Sequence, residues 1–259
     1  MVTSGDRGAA PSTSPAGLKG LFVVEIVRAL QSEEVDVAVH SAKDLPAEDP
    51  EGVVVAAVPE RASPYDVLVS RDGELGPGAT VGSSSLRRRA QLLRSRPYNV
   101  VDVRGNVDTR LRKMNEGEVD GLVLAEAGLA RLGLAPTFSE RLSVEEMVPA
   151  PGQGALAVQA RAEGPVRATV ARLDHRDSRL AFEAERQLVA HLGGGCALPL
   201  GALGRVEDGQ VRLVAVVLRP DGSGLVRAES SADSPETAAR EAAEALGAQG
   251  ANEILRDLA

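Results

Sequence analysis

Between Asp66 and Leu132 strand-like and helix-like stretches alternate, and no other feature restricts the fold of this chain so strongly. Asp66–Ser70 (DVLVS), Thr80–Gly82, Asn99–Val103 and Val119–Leu124 are short apolar runs rich in valine. β-Branched side chains fit a pleated, half-buried surface. Ser84–Arg94 (SSLRRRAQLLR), Val107–Met114 and Ala125–Leu132 have helical spacing, the first with serine available as N-cap. Strands that alternate with helices predict a mainly parallel sheet covered by helices on both faces. In such a sheet, ligands bind where the strands end and the helices begin.

The flanking segments extend this pattern. Residues 1–17 are dominated by Gly, Ser, Thr, Pro and Ala, with few anchors for a core. Leu18–Leu30 has an apolar face at helical spacing. Val35, Val37 and Val39 then alternate with Asp36 and Ala38 as a strand, and Val53–Val58 is a second buried strand. Pro59–Pro64 reads as a linker, Pro149–Gly154 as a loop dense in breakers, and Ala155–Ala160 as a further strand. Arg176–Leu192 is a long amphipathic helix stopped by Gly193-Gly194-Gly195. Beyond Cys196 the character changes. Leu200–Val206, Val211–Leu218 and Gly224–Glu229 are strands joined by Asp208-Gly209 and Pro220-Asp221-Gly222, both hairpin-type turns. A helix starting at Ser234-Pro235 is expected to stop at Gly247, and Ala251–Leu258 forms a last helix. Residues from 176 on therefore read as a separate α+β unit.

Composition excludes several functions. The formal net charge of −8 argues against bulk binding to nucleic acid or to an anionic membrane. One cysteine rules out an intrachain disulfide, and His40, His175 and His191 lack metal-ligand spacing. No apolar run is long enough to span a bilayer, and the N-terminus lacks the apolar core of a secretory signal. These features indicate a soluble protein of a reducing compartment, here the cytoplasm, without a metal. Aromatics are only 2% of the chain, so its cores are aliphatic and base stacking has little to work with.

Three groups of residues carry chemistry. The strand at Val35–Val39 stops abruptly in His40-Ser41-Ala42-Lys43-Asp44, which places a cation and a carboxylate at a strand end. An ordinary strand exit with solvated charges is the competing reading. Gly82-Ser-Ser-Ser-Leu-Arg87-Arg88-Arg89 is a strand, a small-residue turn and a helix start, where free N–H groups and guanidinium donors converge on an anion. Arg104-Gly-Asn-Val-Asp-Thr-Arg110 repeats the arrangement at the next junction, with Arg112 and Arg131 after it. Arginines lined along one sheet edge with Lys43 and Asp44 point to a polyanionic ligand. A solvated basic face is the plainer alternative. Cys196, in GGGCALPLG, lies on a glycine-rich loop that could carry a nucleophile into a cleft. A buried free thiol is the common alternative, and no histidine sits at triad-like spacing.

Taken in order, VAVHSAKDLP, VGSSSLRR, VRGNVDTRL, LAEAGLARLGL, PAPGQGALAVQAR and GGGCALPLGA closely resemble the hydroxymethylbilane synthase family, also called porphobilinogen deaminases. The resemblance runs from about Thr3 to the C-terminus. It implies an α/β fold: two doubly wound, periplasmic-binding-protein-like domains around a cleft plus a small C-terminal α+β domain. The corresponding boundaries are 1–58 with 152–172 for a discontinuous first domain, 62–148 for the second and 176–259 for the cofactor-bearing third. The family condenses four porphobilinogen molecules head to tail with loss of ammonia. It then hydrolyses off the linear tetrapyrrole hydroxymethylbilane, a precursor in porphyrin and heme biosynthesis. The chain is primed by a dipyrromethane cofactor held as a thioether, here on Cys196. The catalytic carboxylate falls on Asp44, where it would contact pyrrole N–H groups and stabilise the cationic azafulvene left when ammonia departs. Cofactor contacts fall on Lys19, Ser41, Lys43, Ser85, Arg87, Arg88 and Arg104, and substrate contacts on Arg104, Arg110 and Arg131. Each pyrrole carries an acetate and a propionate, which explains why an acidic protein would keep so many arginines together. The resemblance also implies a monomer, with porphobilinogen as its partner and neither nucleic acid nor membrane.

The sequence departs from the family at its start. Members open with a strand bearing Arg and Ser, a helix and a second strand before reaching a Thr-x-Gly-Asp that stands here at Thr3-Ser4-Gly5-Asp6. The first domain is thus expected to lack one strand–helix–strand unit, leaving the Val35–Val39 strand short of neighbours and apolar surface uncovered. A start codon placed too far downstream and a genuine short form are the two explanations. Two functional rivals are an inactive short form and a non-catalytic small-anion binding protein, since the same two-domain cleft architecture serves both.

Overall fold

The computed structural model describes residues 24–193 and 198–258. Its strands form three sheets. Lys19 and Cys196 lie outside the described residues, as do 18–23 of the expected first helix.

The first sheet has the order β1–β8–β2. Its strands are β1 (Val37–Ser41), β2 (Val53–Ala57) and β8 (Leu156–Arg161), with β8 central and antiparallel to both neighbours. Helix α1 (24–31) packs Val27 and Leu30 against Ala38 and Val53 on one face. On the other, α5 (Pro165–Val170) sets Val170 against Ala56, Ala57, Val158 and Ala160. That cover stops short of β1, where Val37 and Val39 are 37% and 62% exposed. Among the described residues β1 pairs with β8 alone. Among the described residues it is thus an edge strand with an apolar outer face.

The second sheet has the order β5–β4–β6–β3–β7. Here β3 is Asp66–Ser70, β4 Thr80–Gly82, β5 Asn99–Val101, β6 Gly121–Ala125 and β7 Phe138–Arg141. Strands β5, β4 and β6 are parallel, whereas β3 runs antiparallel to both β6 and β7. The sheet is therefore half antiparallel rather than mainly parallel. The parallel trio carries the expected βα rhythm, and only its junctions share an edge. Helix α2 (Leu86–Ser95) covers one face through Leu92, beside Leu68, Val81 and Val123. Helices α3 (Val107–Asn115) and α4 (Glu126–Arg131) cover the other through Met114 and Leu129. Each such aliphatic side chain removed from water contributes about 1.5–3 kcal/mol.

The third sheet is the antiparallel meander β9 (Leu200–Glu207), β10 (Gln210–Leu218) and β11 (Leu225–Ala232). Asp208 and Gly209 both have positive φ, 52° and 79°, as the tight β9–β10 turn requires. Helices α6 (Arg176–His191), α7 (Pro235–Ala248) and α8 (Ala251–Arg256) bury one face with Leu188, Ala238, Ala242, Leu246 and Ile254. The other face packs Leu203, Val216 and Leu218 onto Ala90 of α2 and Val144 and Val148. Helix α7 ends at Ala248, one residue past the expected stop at Gly247, a difference within the fraying of a helix end. The left-handed residue after it is Gly250, at φ 96°.

Candidate active site

Strand β1 delivers the charged turn. Ser41, half-buried, ends the strand, and Ala42–Asp44 form a single 3-10 turn. The turn rests on the 149–154 loop. Ala42 donates its N–H to Ala155 O, and Gly152 sits so close that a Cβ there would lie 2.7 Å from Lys43 N. Gly152 has φ 73°, so both space and conformation demand glycine. Beneath the turn, Ala42 and Leu45 pack on Phe182 of α6.

Strand β4 delivers the serine turn. Ser85 caps α2, accepting the N–H of Arg88. Arg87 and Arg88, set as ligands for an anion by the sequence, are buried and face Asp66 at the start of β3. Arg87 donates to Asp66 Oδ2 at 2.8 Å and to Val148 O at 2.7 Å. Arg88 reaches Asp66 Oδ1 at 2.7 Å and donates to Val123 O and Gln153 Oε1. Burial alone would raise the Asp66 carboxyl. The two guanidiniums, with hydrogen bonds from Arg87 and Gln153, outweigh it and hold the pKa at about 2. Asp66 thus neutralises one of the two positive charges, and sequence reading missed it.

The remaining arginines divide. Arg110 donates to Gly105 O and to Ser84 Oγ, which joins the β5 and β4 junctions. Burial lowers its pKa, and Arg88 adds to the effect, so these cations share one neighbourhood. Arg131, at the end of α4, donates to Gly154 O at 2.7 Å. Arg104 is mostly exposed and paired with Asp102. Arg112 is tied to Glu116 on the outer surface of α3, away from this group.

Of the residues singled out in the sequence, Lys43, Ser85 and Arg87 line one cleft open to solvent, whereas Ser41, Asp44, Arg88, Arg104, Arg110 and Arg131 are not part of its lining. Its polar lining includes Lys43, Ser85, Arg87 and Arg186, and its apolar lining includes Leu45, Phe182 and Leu198. Leu198 follows the undescribed segment that holds Cys196. The cleft therefore joins cations for carboxylates to apolar surface for flat rings, and these residues fit a carboxylated pyrrole pair. Among the described residues no group of three or more His, Cys, Asp and Glu could hold a metal ion. No helix there is long and apolar enough to cross a membrane.

Two buried polar groups lie near the site. Glu185 of α6 accepts both Arg61 guanidinium nitrogens and the N–H groups of Gly152 and Gly204, which ties linker, loop and β9 to one carboxylate. His40, on the inner face of β1, is 8% exposed, and its Nε2 has no partner among the described residues. Burial lowers its pKa below 6.5, against the opposing influence of Gln159 and Asp44.

Comparison with known proteins agrees with the motifs. Residues 1–168 match the family model "Porphobilinogen deaminase, dipyromethane cofactor binding domain", and 179–256 match "Porphobilinogen deaminase, C-terminal domain". The chain is 50% identical to the porphobilinogen deaminase of Desulforudis audaxviator over 98% of its own length and 84% of the relative's. It is 44% identical to that of Brevibacillus brevis over 100% and 86%, and 46% identical to that of Thermus thermophilus over 98% and 83%. Two matched family models and these identities over nearly the whole chain make it a member of the porphobilinogen deaminase family.

Proposed function

We infer that the chain is a hydroxymethylbilane synthase. It joins porphobilinogen molecules head to tail, releases ammonia at each addition and hydrolyses off the linear tetrapyrrole. The observation that carries this reading is the cleft that Lys43, Ser85, Arg87 and Leu198 line together, with Asp44 next to Lys43 on the same turn. A dipyrromethane bound in the cleft supplies the pyrrole primer to which substrate is joined, with Cys196 as its anchor.

Each residue has a distinct task. Asp44, on a rigid turn at a strand end, accepts pyrrole N–H groups and offsets the positive charge that develops on substrate as its aminomethyl nitrogen leaves. Lys43 and Arg87 hold ring carboxylates, and Ser41 and Ser85 add neutral hydrogen bonds. Arg88 reaches the carboxylates less directly, because Asp66 and Gln153 already occupy its donors. Arg104, Arg110 and Arg131 extend the cationic surface along the parallel strands' ends for the lengthening chain. Lys19 joins the cofactor contacts on the strength of the motif match. The apolar wall excludes water from the reacting carbon and so strengthens these charge interactions. The boundaries 1–58 with 152–172, 62–148 and 176–259 describe its working units, and it acts as a cytoplasmic monomer.

The test is turnover. Purified chain supplied with porphobilinogen should release ammonia and yield a product that cyclises to uroporphyrinogen, and the denatured protein should colour with Ehrlich's reagent. Asp44→Ala should fold and lose turnover, and Cys196→Ser should lose the Ehrlich colour. Product formed by Asp44→Ala at the native rate overturns the assignment of Asp44. A colourless, inactive native chain overturns the reading as a whole.

A further inference from the structure

Helix α6 grips the catalytic turn from both sides. Phe182 packs under Ala42 and Leu45. Arg186, one turn further along the same helix face, reaches past the turn. Its Nε donates to Pro46 O at 3.0 Å, and its Nη2 lies 2.8 Å from Asp49 Oδ1. Its guanidinium lies 5.9 Å from the centre of the Phe182 ring. Asp49 is anchored in turn, since its Oδ2 accepts the N–H of Val55 on β2 at 3.3 Å. A connected path thus runs from α6 through Arg186 and Asp49 to the first sheet, bracketing the segment that holds Asp44. At its far end α6 closes at Gly193, with φ 65°, just before the Cys196 segment. Glu185, the adjacent residue on the helix, locks α6 to Arg61 and to the N–H of Gly152, so the helix is a fixed reference.

We propose that Arg186 is a positioning residue for the reaction. Through Pro46 O and Asp49 it sets the height of the Asp44 turn against the helix that leads to the cofactor anchor. The inference rests on the reading of Asp44 and Cys196 given above. Lysine can replace it only in part: one ammonium on a flexible stem does not span a carbonyl and a carboxylate as a planar fork does. The strut is partly solvated, with side chains 16% and 27% exposed, so its loss leaves the fold standing. What its loss changes is the register of a carboxylate against a reacting carbon, where a displacement of about 1 Å costs on the order of a hundredfold in rate.

The test combines kinetics with hydrogen exchange in the full chain. Arg186→Ala should lower kcat for porphobilinogen about ten- to a hundredfold, with KM and melting temperature near native, and Arg186→Lys should fall between. Asp49→Ala should reproduce most of the loss, and the double variant should be no worse than Arg186→Ala alone. Amides of residues 43–49 should exchange faster in Arg186→Ala, a readout that needs no turnover. Three results overturn the proposal: unchanged exchange in that segment, native kcat in Arg186→Ala, or a neutral Asp49→Ala beside a damaged Arg186→Ala. The last would mean that Arg186 acts on a ligand directly. If the native chain is inactive while exchange responds as described, the functional reading fails and the strut stands.

Discussion

Replacing Asp66 with asparagine tests the electrostatic core of the site. The carboxylate is fully buried and receives Arg87 at 2.8 Å, Arg88 at 2.9 and 2.7 Å, and Gln153 at 3.0 Å. Its pKa falls from 3.8 to about 2 on folding. At 1.36 kcal/mol per unit, that is about 2 kcal/mol of linked stability. The sign follows from a depressed folded pKa. The contribution is complete above 3.8 and is lost as pH falls through about 2. Asparagine also leaves two buried guanidiniums with carbonyl and amide partners only, and unpairing a buried charge costs about 3–5 kcal/mol. Asp66→Asn should therefore unfold in urea with about 3 kcal/mol less stability at neutral pH. The difference from native should shrink by about 2 kcal/mol between pH 4 and pH 2. The only tyrosines are Tyr65 and Tyr98 and there is no tryptophan, so intrinsic emission reports on this region. Equal stability at neutral pH, or an unchanged acid slope, would refute the account of Asp66 as counter-ion to both arginines.

Three further perturbations have defined outcomes. Gly152→Ala forces a Cβ to within 2.7 Å of Lys43 N at φ 73°, and should lower kcat at least tenfold by displacing the Lys43–Asp44 turn, as steady-state kinetics would register. Val39→Lys, at 62% exposure on the β1 edge, should raise the protein concentration tolerated before light scattering increases, without lowering the melting temperature. His40 is buried with its pKa lowered, so the unfolded chain takes up a proton first. Stability should be complete above about 6.5 and decline on acidification below it. His40→Gln should flatten that decline in melting temperatures measured from about pH 7 to pH 5.

What could be read from the sequence was what local chemistry dictates. A serine N-cap for the helix expected from Ser84, the Asp208-Gly209 turn and a glycine stop after Leu192 each follow from one residue's conformational or hydrogen-bonding preference; the structure places the cap on Ser85 and the left-handed glycine at Gly193. Strand β7 was not legible: Phe138–Arg141 is exposed throughout and pairs on one side only, so it leaves no alternation to detect. The reversed direction of β3 was hidden as well, because apolar runs do not state which way a strand points. Residues 37–44 and 82–110 carry most of the cationic groups and the carboxylate proposed for the site, whereas the counter-charges were invisible. Asp66 opens a strand much as a solvated aspartate would, and Glu185 sits in a helix full of charges. The one available signal for Asp66 was the Arg87-Arg88 pair itself, since two adjacent arginines near a core need an acid between them. Arg186 carried no signal, because its partners lie at Pro46 and Asp49, far off in sequence.

Strand β8 closes the first sheet from a position long after β1 and β2 in the chain. On the ribosome, β1 and β2 are the first of the described strands to emerge and have no hydrogen-bonded partner in each other. The whole second sheet, β3 to β7, is synthesised before Leu156 appears. Vectorial synthesis thus presents a completed middle unit beside an open pair of valine-rich strands, a state exposed to wrong pairing until β8 arrives. The Asp44 turn takes up its seat on residues 152–155 at the same moment. Seating of the Asp44 carboxylate, proposed above as catalytic, is therefore a late event in the life of each chain, and a nascent chain arrested before residue 152 would carry Asp44 without the loop that supports it.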